Sequence, residues 1–490
     1  MADHTFSPGS IGSEPGGDPS LESAEEAHLS RQLANRHIQL IAFGGAIGTG
    51  LFLGTGSTIS LAGPSVIFVY MVIGFMLFFV MRAMGELLLS NLHYKSFTDF
   101  AADLLGPWAG FMTGWTYWLY CVVKAIADIV AIAVYVGYWW PDLQSWVPAL
   151  MAIVALFLLN LPTVRASGEV QFWFSLIKII AIVTLIVVGL VMVFGNFVSP
   201  SGVPASFANL WNDGGMFPTG WMGFVAGFQI AVFAFGGIEL VGTTAAEAKN
   251  PEKNLPKATN SISIRIPVLY VATLIVVMAV TPWRQFVPGE SPFTSMFVLA
   301  GLGIAAGVVQ FVVLTSTVSS ANSGVYSTSR MLYGLAAEGD APARLGRLSS
   351  RRVPINALTF SCAFLLSSLV LLLSGDSVIE VFTTVTTIAS LLLVFVWSMI
   401  LASYLAYRRR RPELHGVSKF KMPGGVAMCW AVFAFFVFLV WALVHDDDTL
   451  QALLVTPIWF IGLGIAWMVI RRRPAHVARY AEFQAELHEH

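Results

Sequence analysis

Polar and apolar positions alternate along this chain on a scale of about twenty residues, with long apolar stretches separated by short polar connections. Each stretch is long enough to cross about 30 Å of hydrocarbon as a helix. The pattern predicts about twelve helices, near Leu40–Leu61, Pro64–Ser90, Gly110–Gly137, Trp146–Val164, Phe172–Phe194, Trp221–Ala245, Ser263–Thr281, Phe293–Ala336, Asn356–Leu373, Val378–Tyr407, Gly425–Val444 and Leu450–Ile470. Two of them carry glycine clusters where a membrane helix should be unbroken. The first has Gly44-Gly45-Ala46-Ile47-Gly48-Thr49-Gly50, and the sixth has Phe235-Gly236-Gly237-Ile238-Glu239.

Unwound backbone at membrane depth is tolerated only where it is buried or lines a polar cavity, and breaks at matching positions of two halves mark a substrate site. Freed amides at the first break suit an anionic group, and freed carbonyls at the second suit a cation. A zwitterion offers both. Gly44 with Gly48, and Gly50 with Gly54, also have the small-xxx-small spacing of helix packing, which is the alternative for the first cluster alone. The matching second cluster, followed by an intramembrane Glu, favours unwinding. With breaks in helices one and six, each repeat holds five crossings, and an odd number turns the second repeat upside down. The expected fold is therefore an all-α integral membrane protein with a LeuT-type five-plus-five inverted repeat.

The organisation that follows is a disordered cytoplasmic tail over 1–35, a transport core over 36–410 (helices one to ten), helices eleven and twelve within 411–473, and a cytoplasmic tail over 474–490. The eighth helix reads as overlong, its continuation Thr328–Ala336 projecting into the cytoplasm. The run Asn250-Pro251-Glu252-Lys253-Asn254-Leu255-Pro256 reads as an inner loop.

Composition excludes a water-soluble globule: of 490 residues, 56% are hydrophobic and 11% charged, and the mean hydropathy is +0.74. The net charge of −1 hides an asymmetry. Basic residues gather on alternate connections, at Lys249, Lys253 and Lys257, at Arg344, Arg347, Arg351 and Arg352, at Arg408 to Arg411, and at Arg471 to Arg473. The intervening connections have Arg284 as their one exception. Those basic connections are expected to be cytoplasmic, with both termini inside. The polar, glycine-rich start lacks a basic stretch followed by an apolar one, so it does not read as a signal peptide. Cys121, Cys362 and Cys429 fall in or beside apolar segments and imply no disulfide framework.

Several stretches together resemble the bacterial amino acid transporter family of the amino acid/polyamine/organocation superfamily. They are Arg36-His37-Ile38-Gln39-Leu40-Ile41-Ala42 running into the first glycine cluster, Pro64-Ser65, Arg82-Ala83-Met84-Gly85-Glu86, Glu239 through Pro251, and Asn322 through Leu332. The likeness extends from about Ser30 to Arg473. Loop sequences such as Lys95-Ser96-Phe97-Thr98-Asp99-Phe100 and Gln451 through Pro457 resemble members handling glycine, D-alanine and D-serine. The resemblance implies proton-coupled import of small neutral amino acids at a bacterial inner membrane. A permease or exchanger for another amino acid class is the alternative in the same fold.

The resemblance places the substrate carboxylate on the amides around Gly48, Thr49 and Gly50, and the α-ammonium on carbonyls near Phe233, Ala234 and Gly236. Ile47 and Ile238 complete that set. Glycine permits this close approach of backbone to ligand. Phe233 matches a gating aromatic, with helix packing as its plainer role. Glu239 is an acid in an apolar span and resembles the acid that takes part in proton-linked gating. Lys178 matches a helix-five lysine whose ammonium stands in for sodium and contacts the unwound first helix. Glu247 reads as a solvated residue near a helix end.

Lys124 and Asp128 stand one helical turn apart, either neutralising each other or placing Asp128 on the substrate path. Lys124 departs from the resemblance, which leads one to expect an uncharged residue there. Arg82 and Glu86, spaced alike, read as a structural or gating pair. Ser319, Ser320, Asn322 and Ser323 form a small polar face on helix eight, suited to interhelical hydrogen bonds. The sequence offers no metal-ligand cluster, phosphate-binding loop or nucleophile with a placed His, so neither an enzyme nor a cofactor is expected. The expected partners are the amino acid, protons and membrane lipid, without nucleic acid. A nutrient sensor would need a larger soluble segment, and a channel would need a continuous polar pore.

Overall fold

The computed structural model describes residues 45–488, apart from 162–163, 201, 244–249, 350–352 and 375–376. The expected N-terminal tail, Gly44 and Glu247 lie outside the described residues. Among the described residues the regular elements are helical, with one isolated antiparallel bridge between Val198 and Pro204.

In chain order, α1 runs as Thr49–Phe52 and Gly54–Ala62, α2 is Val66–Ser90, α3 Pro107–Gly137, α4 Trp146–Leu159 and α5 Val164–Phe194. The sixth helix, α6, is split into Gly220–Ala231 and Leu240–Thr243 around a tight turn at Phe233–Phe235. Then come α7 (Pro251–Val280), α8 (Gly303–Ala337), α9 (Ile355–Leu365 with Ser367–Leu373), α10 (Val378–Arg410), α11 (Gly425–Ala442), α12 (Asp447–Ile470) and α13 (Pro474–His488). Ten stretches among the described residues are long and apolar enough to cross a membrane. One of them, Gly54–Ser90, holds both α1 and α2, which meet at Gly63 with φ +61, and α4 is a shorter apolar helix. Trp430, Val437, Leu454 and Ile461 on α11 and α12 stay exposed, an apolar surface that lipid would cover.

The two broken helices lie side by side and antiparallel. A methyl group added at Gly54 would lie 3.0 Å from Ile230, one at Gly50 would lie 2.5 Å from the Ala234 Cα, and one at Gly237 would lie 2.5 Å from the Gly45 carbonyl oxygen. Numbers rise along α1 as they fall along α6, as the even number of crossings between them, α2 to α5, requires. The core is continuous across both helices, and α3, wedged along α8 and α10, supplies one wall.

Several boundaries differ from expectation. The run Asn250–Pro256 is not a loop: Asn250 takes a left-handed conformation (φ 47) and Pro251 opens α7. Proline fits a first helical position because its missing N–H has no acceptor there. The overlong eighth helix is two helices, Pro292–Leu299 and α8. Gly301 (φ +77) ends the first in a Schellman turn, with Gly301 N donating to Val298 O and Leu302 N to Phe297 O. Helix four stops at Leu159, where the Asn160 side chain turns back to Leu156 O, and helix five begins at Val164 rather than Phe172. The expected tail after Arg473 contains α13, packed against the body. Arg479 donates to Ala336 O at 2.8 Å, Tyr480 to Ala102 O at 3.0 Å, and Asn91 to Leu487 O at 3.1 Å. His476 lies 3.2 Å from Asp340, whose carboxyl is pushed up by burial and drawn back by that imidazole.

Candidate functional site

Gly48 is extended (φ −145, ψ −152), and helix resumes at Thr49. Leu51 and Phe52 donate to Gly48 O and Leu53 donates to Thr49 O, which carries the helix on towards Ala62. The amides of Thr49 and Gly50 therefore sit in a first turn, where no intrahelical acceptor exists. In α6 the helix tightens at Phe233–Phe235, Gly236 is extended, and Gly237 takes φ +107, a conformation glycine adopts freely. Gly50 packs against Ala234, so the two breaks are in contact.

Four side chains from other helices hold this junction. Lys178 Nζ on α5 donates to Ile47 O at 3.0 Å. Tyr270 on α7 donates to Ala46 O at 2.9 Å and to Ala234 O at 3.0 Å, which ties one break to the other. On α3, Asp128 Oδ1 accepts from the Thr49 hydroxyl, while Lys124 Nζ lies 3.4 Å from Asp128 Oδ2. Lys124 also donates to Ser320 Oγ on α8 at 2.6 Å. The second break is held mainly by its own sequence. Both Glu239 carboxylate oxygens accept from Gly237 N, at 3.1 and 3.0 Å, and Tyr117 donates at 3.4 Å. Lys124, Asp128, Lys178 and Glu239 are all buried, Asp128 and Glu239 completely.

Most of the expected residues converge: Gly50 meets Phe233 and Ala234, Gly48 faces Asp128, Lys178 reaches Ile47, and Lys124 and Glu239 hold Asp128 and Gly237. Gly236, by contrast, faces Tyr120, and Ile238 lines a cavity with Gly74, Phe235 and Pro267 on the side of α2 and α7. Two of the three carbonyls on the second break already have a partner, Phe233 O from Gly236 N and Ala234 O from Tyr270, and each keeps a second lone pair. Phe235 lies tilted against Tyr70 and edge-on to Tyr270, with centroids at 5.6 and 5.4 Å, and so turns towards α2 and α7, leaving Phe233 as the aromatic beside Gly50. Arg82 and Glu86 also turn to different partners. Glu86 accepts from Met422 N at 2.8 Å and Tyr404 at 3.1 Å and meets His415 at 2.5 Å. Arg82 donates to Asn260 at 2.9 Å and covers the Phe420 ring. Both therefore brace the connection between α10 and α11. On α8, Asn322 accepts from Asn160 at 2.8 Å, a bond to the end of α4 of the interhelical kind expected, whereas Ser323 turns back within its own helix to donate to Ser319 O.

Sequence reading missed Tyr270 and Tyr120. Tyr120 places its hydroxyl against Gly236, and that oxygen lacks a hydrogen-bond partner among the described residues. A tyrosine in an apolar span is the only signal either leaves, and aromatics are common here.

Paired helix breaks in contact, each held by buried charged side chains, define a secondary transporter rather than a channel or an enzyme. The chain belongs to the amino acid permease family, whose pattern matches residues 37–478. It is 64% identical over 454 residues to the D-serine/D-alanine/glycine transporter of Escherichia coli (strain K12), covering 93% of this chain and 97% of that one. It is 48% identical to the amino-acid permease AapA of Bacillus subtilis (strain 168), with 92% and 96% covered. It is 40% identical to the aromatic amino acid transport protein AroP of Escherichia coli O6:H1, with 90% and 95% covered.

Proposed function

We propose that this chain is a proton-coupled symporter importing glycine, D-alanine and D-serine across a bacterial inner membrane, both termini inside, through a core spanning residues 36–410. The substrate reading comes from the relative at 64% identity. Crowding at the junction supports a small substrate: a methyl group at Gly48 would lie 2.5 Å from Ser320 Oγ, and one at Gly50 would lie 3.0 Å from the Phe233 ring. Walls that close leave room for hydrogen, methyl or hydroxymethyl and penalise larger groups by overpacking.

The substrate carboxylate docks on the amides of Gly48, Thr49 and Gly50, and its ammonium on carbonyls of Phe233, Ala234 and Gly236, beside Ile47 and Ile238. Protonated Lys178 clamps the Ile47 carbonyl with a charge-assisted bond. Loss of its proton leaves a neutral amine that holds the carbonyl more weakly, which frees the first break to move. Glu239 takes a lesser part in the coupling at the second break, since on protonation it still offers an acceptor to Gly237 N and that bond weakens only modestly. Asp128 and Lys124 relay occupancy of the first break to α3 through the Thr49 hydroxyl.

The observation that carries this reading is the 3.0 Å bond from Lys178 to the carbonyl at the first break. Uptake of labelled glycine, D-serine and L-serine into proteoliposomes, with and without an imposed pH gradient, tests it. Accumulation that follows the proton gradient supports the reading, and accumulation indifferent to it rejects coupling. Inhibition of glycine uptake by leucine and phenylalanine as strong as by D-alanine rejects the small-substrate assignment.

A further inference from the structure

Asp128 is a wholly buried carboxylate, and its Oδ1 lies 3.8 Å from the position a methyl group at Gly48 would occupy. It therefore stands beside the amides assigned to the substrate carboxylate. Two carboxylates sharing a buried site repel, and the usual remedy is that one of them takes up a proton. This chain has another remedy within reach. Lys124 Nζ lies 3.4 Å from Asp128 Oδ2 and donates at 2.6 Å to Ser320 Oγ, which borders the same Gly48 position at 2.5 Å. The ammonium thus sits between Asp128 and the α8 wall of the junction. The other groups facing the pair are Lys178 from α5, Glu239 from the α6 break, and Tyr120, Cys121 and Tyr135 from α3 itself. Lys178 is committed to Ile47 O, and Glu239 to Gly237 N.

We propose that Lys124 is the positioning residue that keeps Asp128 ionised while a substrate carboxylate is bound, so that substrate docks without proton uptake at Asp128. The inference rests on the carboxylate assignment above and deepens it. Lys124 neutralises Asp128 by contact, Asp128 keeps its acceptor for the Thr49 hydroxyl, and the hydroxyl holds the first turn of α1 in place. Without the ammonium, Asp128 must be protonated before a carboxylate can approach.

Equilibrium binding of labelled glycine to the purified full-length protein, followed from about pH 5.5 to 8.5, tests this. Lys124→Met should bind more weakly than wild type at the alkaline end by about tenfold or more, and recover with a slope of one additional proton as pH falls. Adding Asp128→Asn to Lys124→Met should remove that extra slope and restore binding, and Lys124→Arg should behave as wild type. A Lys124→Met profile parallel to wild type, or a double variant as weak and steep as the single one, overturns the proposal. If Lys124→Met does not fold, the double variant decides alone: binding with the wild-type pH profile upholds the proposal, and lost binding overturns it. Gly48→Val separates the two readings. Undiminished binding by that variant rejects the carboxylate site itself, whereas lost binding together with a parallel Lys124→Met profile rejects only the role of Lys124.

Discussion

The two helix breaks touch each other, yet they are kept open in different ways. The first, at Ile47–Gly48, depends on side chains brought from α3, α5 and α7: Asp128, Lys178 and Tyr270. The second, at Gly236–Gly237, is capped from two residues away by Glu239, both of whose oxygens accept from Gly237 N. A break held from outside changes state when distant helices shift or when their charges change. A break capped by its own sequence moves as a unit. The first is thus the responsive element, and the second the more rigid platform against which it closes.

Substitution at the seam where the breaks meet should have the largest effect. At Gly50 a methyl group would lie 2.5 Å from Ala234 Cα and 2.8 Å from its nitrogen, backbone atoms that cannot rotate aside. Gly50→Ala should cost about 1–3 kcal/mol or more by overpacking and abolish measurable glycine binding in the purified protein. Gly48→Ala meets the Ser320 side chain, which can turn, so its loss should be smaller in the same assay.

Next in size, Tyr270→Phe deletes the single O–H that the Ala46 and Ala234 carbonyls share, a bifurcated bond worth about 0.5–1.5 kcal/mol that ties the breaks together. Both glycine affinity and thermal stability should fall, and a variant altered in neither would show that the two breaks are not fastened through this hydroxyl.

The smallest effect on affinity is expected for Glu239→Gln, which keeps an acceptor for Gly237 N and loses only charge. A change of about fivefold or less in glycine affinity is expected, since a neutral bond replaces a charge-assisted one at a cost of about 1 kcal/mol. A collapse of binding would mean that the second break also depends on its charge and would remove the contrast between the two.

Much of this arrangement was legible in the chain because the membrane leaves few options. An acid or ammonium inside an apolar span must find a partner there, which is why Lys178, Glu239, Asp128 and Lys124 stood out and why all four lie at the junction. The glycine clusters were legible for the same reason, since glycine is the residue that allows two backbones to meet. Other features left weaker traces. Phe233 and Phe235 look equivalent in sequence, and only the tight turn between them sends one towards Gly50 and the other towards Tyr70. Arg82 and Glu86 have the spacing of an ion pair, but Phe420, Met422 and His415, far away in the chain, compete for them more effectively. The Schellman turn at Gly301 was hidden inside a long apolar run, where one glycine among many apolar residues gives no boundary.

The claim that the first break is held by charge from outside is tested most directly at Lys178. The measurement is accumulation of labelled glycine in proteoliposomes under an imposed pH gradient, compared with glycine exchange at zero gradient, for wild type and Lys178→Ala. Removing a charge-assisted bond worth about 1.5–3 kcal/mol should abolish gradient-driven accumulation in the variant while exchange persists. Concentrative uptake by Lys178→Ala with wild-type pH dependence would contradict the account.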